Sequence, residues 1–397
     1  MARLTSGQYE EEKQFPAILG QESLEIVTKP GLPAWDSLPP STRLLAEYPQ
    51  ILPANHVLIL GSHHGALSVV LARQLRSGQL WVTDTDIIAI EMTKKTLSSN
   101  HIDSVHVITS IDIPEIADQK INSTFMQLPK GRLLARRWLL QARRALLPGG
   151  SLYLAGANKS GIQSAIQDAQ DLFGNCRILA YKKGHRLAHL VKSAADLSLP
   201  AWASAPGIAP GTWVEFSVSL ANHDFRIHSL PGVFSFDHLD EGTQMLINTS
   251  QVPAGAMVLD VGCGYGIIGM FAAFQGAGRV DLVDSNLLAI ASSRETLEIN
   301  HITNATVFTG DLLDPVRTNK YDLILSNPPF HTGLAVDLQI AHAMIRQSFF
   351  ALKPGGQLTI VANRFIQYEH LIHEIFGNVS LLDESRKFHL LSGIKSR

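Results

Sequence analysis

Cysteine is scarce in this 397-residue sequence: Cys176 and Cys263 are the two present, too few for a disulfide framework and far outside any zinc-ligand spacing. Excess charge of either sign is missing as well. Thirty-three Lys and Arg against 35 Asp and Glu leave a net charge of -2, which excludes a globally basic nucleic-acid binder and confines any polyanion contact to a local surface. No apolar run approaches 18 residues, so no membrane-spanning helix is expected. The opening "MARLTSGQYEEEKQFP" has no apolar stretch after its basic residue, which leads to the expectation of an unexported, cytoplasmic protein. The 16 histidines show no H-E-x-x-H or related spacing, and no metal is expected.

What is present is apolar and repetitive. A chain 45% hydrophobic at this length exceeds the size at which single cores split, so two domains are expected. "TLSSNHIDSVHVITS" at 96–110 matches "TLEINHITNATVFTG" at 296–310; "LLPGGSLYLAGAN" at 146–158 matches "LKPGGQLTIVAN" at 352–363; "LFGN" at 172–175 matches "IFGN" at 375–378. The two halves read as copies of one domain. Between them, residues 193–212 are rich in Ala, Ser, Pro and Gly with no helical or strand period, a linker by composition. The expected division is 1–192, linker 193–212, and 213–397. "WVEFSVSL" and "FRIHSL" around "ANHD" predict a β-hairpin opening the second half. Short apolar strands then alternate with helical periods, predicting a doubly wound α/β domain whose ligands lie at the carboxyl ends of its strands. The same alternation in the first half predicts two such domains in tandem.

"VLDVGCGYGIIGM" at 258–270 puts Gly262, Gly264 and Gly266 between a strand and a helix, where backbone N–H groups can meet a ligand. The literal G-x-G-x-x-G at Gly264, Gly266 and Gly269 fits a dinucleotide enzyme equally well. Asp284 closes the next strand, placed to accept from both hydroxyls of an adenosine ribose. Asp260 precedes the glycines, where its charge would repel a pyrophosphate but suit an ammonium and a sulfonium; S-adenosylmethionine carries both. Asp311, after the third strand, is placed for the adenine amino group.

A fourth strand ends in "SNPPFHTG" at 326–333. The Asn327 side-chain oxygen and the Pro328 carbonyl can grip both hydrogens of a planar NH2 and aim its nitrogen at a methyl carbon. Pro328 and Pro329 fix φ and withhold N–H donors, and Phe330 offers a stacking plane. The corner reads as a rigid clamp for a nucleobase amine or an amide.

The second half resembles class I methyltransferases. Through "SNPPFHTG", "VAN" at 361–363 and "GVFSFDHLDEGT" at 232–243 the chain resembles the ribosomal RNA guanine-N2 methyltransferases built of two tandem domains, with the small-subunit enzymes nearest and the large-subunit ones close by. The resemblance spans nearly the whole chain and is strongest over 225–390. It implies that the glycine loop and the three acids bind S-adenosylmethionine, that N-P-P-F receives guanine, and that the partner is ribosomal RNA or a ribosomal subunit. One departure is Phe236, where Arg is expected. A monomer acting in the cytoplasm is expected.

The first copy is degenerate in the same places. "LILGSHHGALS" at 58–68 sets Ile59 against Asp260 and His63 against Gly264, and "FMQLPKGR" at 125–132 replaces the clamp. This half is expected to transfer nothing and to position RNA through phosphate contacts from Arg132, Arg136, Arg137, Arg143 and Arg144 on one helix, and Lys182, Lys183 and Arg186 near the domain's end. Competing readings are a methyltransferase acting on protein glutamine, a DNA adenine enzyme, and a noncatalytic RNA-binding assembly factor.

Overall fold

The computed structural model describes residues 9–112, 120–195, 198–220, 223–328 and 334–396, with only the backbone of 334–337. Two compact units emerge, Glu12–Thr212 and Trp213–Arg397, and the residues before Glu12 group with the second.

The first unit opens on a two-stranded antiparallel ribbon, β1 (Lys13–Leu19) and β2 (Glu22–Thr28), and helix α1 (Pro40–Glu47). There follow β3 (His56–Leu60), α2 (Ala66–Gln74), β4 (Gln79–Thr83), α3 (Ile87–Ser99), β5 (Val105–Ile108), β6 (Ile121–Gln127), α4 (Arg132–Ala145), β7 (Leu146–Ala157), α5 (Ile162–Phe173), β8 (Arg177–Lys182) and β9 (His185–Val191). The seven-stranded sheet runs β5-β4-β3-β6-β7-β9-β8. Its first five strands are parallel, and β9 runs antiparallel to both neighbours.

The second unit repeats this element for element. Ribbon β10 (Val214–Leu220) and β11 (His223–Ser229) leads into α6 (Glu241–Thr249), β12 (Met257–Val261), α7 (Ile267–Phe274), β13 (Arg279–Asp284), α8 (Leu287–Ile299), β14 (Ala305–Thr309), β15 (Tyr321–Ser326), α9 (Leu334–Ala351), β16 (Leu352–Asn363), α10 (Tyr368–Phe376), β17 (Ser380–Glu384) and β18 (Phe388–Ile394). Sheet order is β14-β13-β12-β15-β16-β18-β17, the same permutation. Even the irregularity recurs: pairing slips between Ile121 and Ser123 in one sheet and between Tyr321 and Leu323 in the other. The antiparallel edge pair and the first ribbon are additions to the expected layout; β1, with a proline inside "KQFPAIL", reads poorly as a strand.

The repeated sequence motifs are explained by what they hold. Thr96 Oγ1 accepts from Val27 N at 3.0 Å and donates to Val27 O at 3.1 Å, while Asn100 exchanges both bonds with the backbone of Glu25. Thr296 does the same to His228 and Asn300 to Arg226. "TLxxNH" is thus the dock for each unit's ribbon, borrowing the main-chain groups that an unpaired ribbon edge leaves open. Asn175 and Asn378, from the "FGN" motifs, likewise bind both backbone groups of Val191 and Ile394 on the last strand. What survives in both copies is scaffold.

The segment 193–212 has structure of its own. Ala203 and Ile208 are buried, Trp202 lies under the Arg136 guanidinium at 5.2 Å, and the Gly207 carbonyl accepts from Arg137 at 2.9 Å. Composition suggested a linker; an aromatic and two aliphatic side chains are enough to fold it onto α4.

Candidate active site

β12 pairs with β13 on one side and β15 on the other; β12 continues through α7 to β13 and β15 through α9 to β16, so their carboxyl ends form the switch point at which a doubly wound sheet takes its ligand. β12 is apolar and buried, as a strand covered on both faces must be, except for Asp260, which is fully buried. Its Oδ2 accepts from Gly269 N at 2.9 Å, and its Oδ1 is buried with no hydrogen-bond partner among the described residues. Burial first, and the nearby Asp284 charge second, push its pKa up to about 7, against the Gly269 N–H, which pulls it down. A half-satisfied buried carboxylate is costly, and it fits a ligand that brings a cation or an N–H donor.

The folded chain therefore gives up the Asp260 proton near pH 7 and the unfolded chain near 3.8. Between these values the native state holds the extra proton, so raising pH through the window lowers stability, by on the order of 1.4 kcal/mol per pH unit from this group. Asp260→Asn should flatten that slope. Urea midpoints of the cofactor-free protein from about pH 4.5 to 7.5 measure it; parallel profiles for wild type and variant would contradict the buried, unpaired state of this carboxylate.

The four glycines separate into two kinds. A Cβ on Gly266 would meet Ser293 Oγ at 3.0 Å, and one on Gly269 would meet Leu282 at 2.6 Å, so both let α7 pack closely. A Cβ on Gly262 would meet nothing and one on Gly264 only Val233 at 3.8 Å, although both residues have left-handed φ. These two leave open space. Gly264 N donates to Asp284 Oδ2 at 2.9 Å and Asn286 N to Asp284 Oδ1 at 2.8 Å. Each Asp284 oxygen keeps acceptor capacity beyond these bonds. Burial raises its pKa, opposed by those backbone donors. Cys263 is buried against Ser293 at 3.3 Å with its thiol pushed up by burial, so it is not a nucleophile.

Asp311 follows β14, and its Oδ1 accepts from the Tyr9 hydroxyl at 2.6 Å. Asn327 stands at the end of β15, held by a contact that the sequence reading passed over: its Nδ2 donates to Thr243 Oγ1 at 2.8 Å and Asp240 Oδ2 at 3.2 Å. A carboxylate only accepts, so the group facing Asp240 is the NH2 and the Asn327 oxygen is turned the other way. Asp240 is also the N-cap of α6, accepting from Thr243 N at 3.0 Å, and D-x-x-T before an apolar helix was a legible capping signal. Ser326, just before the corner, ties β15 to the Val261 carbonyl at 2.7 Å. Pro328 is buried; Pro329 and Phe330 lie outside the described residues.

The family described as "Methyltransferase small domain" matches this chain twice, over 23–189 and 224–392. A protein of Psychromonas ingrahamii named ribosomal RNA small subunit methyltransferase C is 30% identical over 355 residues, covering 89% of this chain and 96% of that protein. This chain belongs to the small subunit methyltransferase C family. The Erwinia tasmaniensis protein of the same name is 36% identical over 272 residues, 68% of this chain and 74% of its own length. Among solved structures, the T. thermophilus 16S rRNA N2 G1207 methyltransferase in complex with AdoMet and guanosine superposes with a TM-score of 0.82 at 27% identity, covering 99% of this chain and 100% of that one.

In this chain the first unit keeps the backbone of the glycine loop but not its open positions or its first acid. His63 holds the left-handed φ of +53° that matches +57° at Gly264, and its N–H still reaches Asp84 Oδ2 at 3.2 Å. Burial drives the His63 imidazole down to about 4, so at neutral pH an uncharged ring stands where the second unit is open. Ile59 replaces Asp260, and Gln127, at the position of Asn327, is buried with its amide spent on Gly61 O and Thr42.

The predicted RNA-binding arginines of α4 are not one exposed stripe. Arg137 is 3% exposed, donating to Gly207 O and Asp112 at 2.9 Å each, and burial lowers its pKa against the Asp112 attraction. Arg132 forks onto Asp168 with two bonds of 2.8 Å and Arg136 adds a third, pinning α4 to α5. The apolar residues Leu134, Trp138 and Leu139 turn position 137 inward. Arg143 is half-buried and Arg144 exposed; Lys182 and Lys183 are exposed at the β8–β9 turn. Arg186 is bound to Asn158 and covers Tyr181. No metal-ligating cluster and no helix long and apolar enough to cross a membrane occur among the described residues.

Proposed function

We propose that this chain methylates the exocyclic N2 amine of a guanine in 16S ribosomal RNA, using S-adenosylmethionine, in the carboxy-terminal unit alone. The observation that carries this reading is the fixed Asn327 amide: with both N–H groups engaged by Asp240 and Thr243, its oxygen is the part left to receive an amine hydrogen. The bound cofactor supplies a methyl group activated on a sulfonium. Asp260 supplies the counter-charge and an unpaired acceptor, Asp284 faces the ribose hydroxyls, Asp311 the adenine, and Gly262 and Gly264 leave room for close approach. Asn327 and the Pro328 carbonyl orient the guanine amine, whose lone pair is otherwise delocalised into the ring, and favour the positive charge it gains in transfer. The methylated nitrogen then loses its extra proton to water, so no strong general base is called for. Flipping the guanine from its helix costs a few kcal/mol, which the corner's stacking and edge contacts offset.

The first unit then serves as the RNA-positioning body, with the exposed Lys182 and Lys183 of the β8–β9 turn as phosphate contacts. The chain acts as a cytoplasmic monomer in this reading. Incubation with labelled S-adenosylmethionine and separated small subunits, large subunits, free 16S RNA and ribosome-associated proteins tests it. Label is expected on guanine N2 of small-subunit RNA; label on a protein glutamine, or none on any RNA, would overturn it.

A further inference from the structure

Tyr9, Glu10 and Glu11, which precede the first unit in sequence, belong to the second. Tyr9 is 4% exposed and packs with Ile340 and Ala343, Leu312 alongside, while its hydroxyl reaches Asp311. The next residue, Glu10, accepts from Gln347 Nε2 at 2.8 Å and pairs with Arg346. Gln347 in turn accepts from Leu313 N through Oε1 at 3.1 Å. Residues 9–10, 311–313 and 346–347 therefore form one bonded set around Asp311. Inside it Leu312 has φ +49°, a left-handed conformation that a branched side chain keeps only where its surroundings impose it.

We propose that Tyr9 is a positioning residue of the cofactor site, orienting the Asp311 carboxylate toward the adenine amino group. The inference rests on the assignment of Asp311 to adenine made above. Because a buried hydroxyl needs a partner as much as the carboxylate needs fixing, the two hold each other, and the Tyr9 ring is anchored by packing on Ile340 and Ala343.

Tyr9→Phe in the full-length chain keeps the ring and removes only the hydroxyl. The probes are S-adenosylhomocysteine and S-inosylhomocysteine, which differ by an amino against an oxo group at the purine 6-position, titrated calorimetrically. Wild type is expected to prefer the adenosyl form, and Tyr9→Phe to reduce that preference about fivefold or more, with KM for the methyl donor raised and kcat within about twofold. A residue that merely supports the fold would weaken both ligands equally, so an unchanged ratio overturns the inference. Asp311→Asn separates the two layers. If it collapses the preference and Tyr9→Phe does not, Tyr9 alone is dismissed; if Asp311→Asn leaves the preference intact, the adenine assignment fails and takes Tyr9's role with it.

Discussion

Asn327→Ala leaves cofactor binding intact and cuts the rate constant for methyl transfer by about 10² to 10³, the range seen when one preorganised polar group is removed from a charge-developing centre. The expectation follows from how the amide is held. Asp240 and Thr243 take its two hydrogens, so under the proposed function the oxygen is already set to meet the substrate without reorganising. Alanine removes that acceptor and also leaves Asp240 and Thr243 one partner short, at a cost in stability of roughly 1–3 kcal/mol. Asn327→Asp tests the orientation itself: it sets a second carboxylate against Asp240 Oδ2, so it should be at least as inactive despite its shape. Single-turnover transfer to small-subunit RNA, alongside titration with S-adenosylhomocysteine, separates chemistry from binding. An alanine variant within about tenfold of wild type would remove Asn327 from the catalytic centre.

The reach of the sequence differed by kind of residue. The places of Asp260, the glycines, Asp284, Asp311 and Asn327 in the sheet were legible because each lies at the end of a strand or just after one whose apolar run announces it, and a doubly wound sheet brings such ends to one edge. Arg137 misled for a corresponding reason. Its spacing to Arg144 suggested one exposed side, but the face it occupies is covered by 193–212 and by Asp112, and folding of that covering segment is not encoded in local composition. The Tyr9–Asp311 bond joins residues 302 positions apart, beyond any periodicity. The "TLxxNH" repeat was visible as a duplication, yet its cause, a ribbon docked on Thr and Asn, needed the first ribbon to be seen. Between the copies, the polar residues that bind backbone are retained, Asp84 and Asp284 among them, whereas Asp260 and Asn327 are replaced by Ile59 and Gln127.

Gly264→His transplants the first unit's wedge into the second and should abolish cofactor binding, by more than about 100-fold in affinity, while the protein still folds. The first unit shows that the backbone tolerates it. His63 sits at φ +53° against +57° for Gly264, with its N–H on the same second-strand carboxylate, and a Cβ at Gly264 meets nothing nearer than Val233 at 3.8 Å. The left-handed conformation then costs about 1–2 kcal/mol, small against the stability of a unit this size. The ring, however, fills the space that an open glycine leaves to the ligand. By contrast Gly269→Ala, with a Cβ 2.6 Å from Leu282, should lose stability first and binding only as a consequence. The reverse exchange, His63→Gly, should not create binding in the first unit, because Ile59 stands at the position of Asp260 and offers no carboxylate. Calorimetric titration with S-adenosylhomocysteine and urea unfolding of the three variants test this together. Retained binding in Gly264→His would mean that the ligand does not pass over this glycine, and unfolding of that variant would mean that the two loops are less alike than their dihedrals.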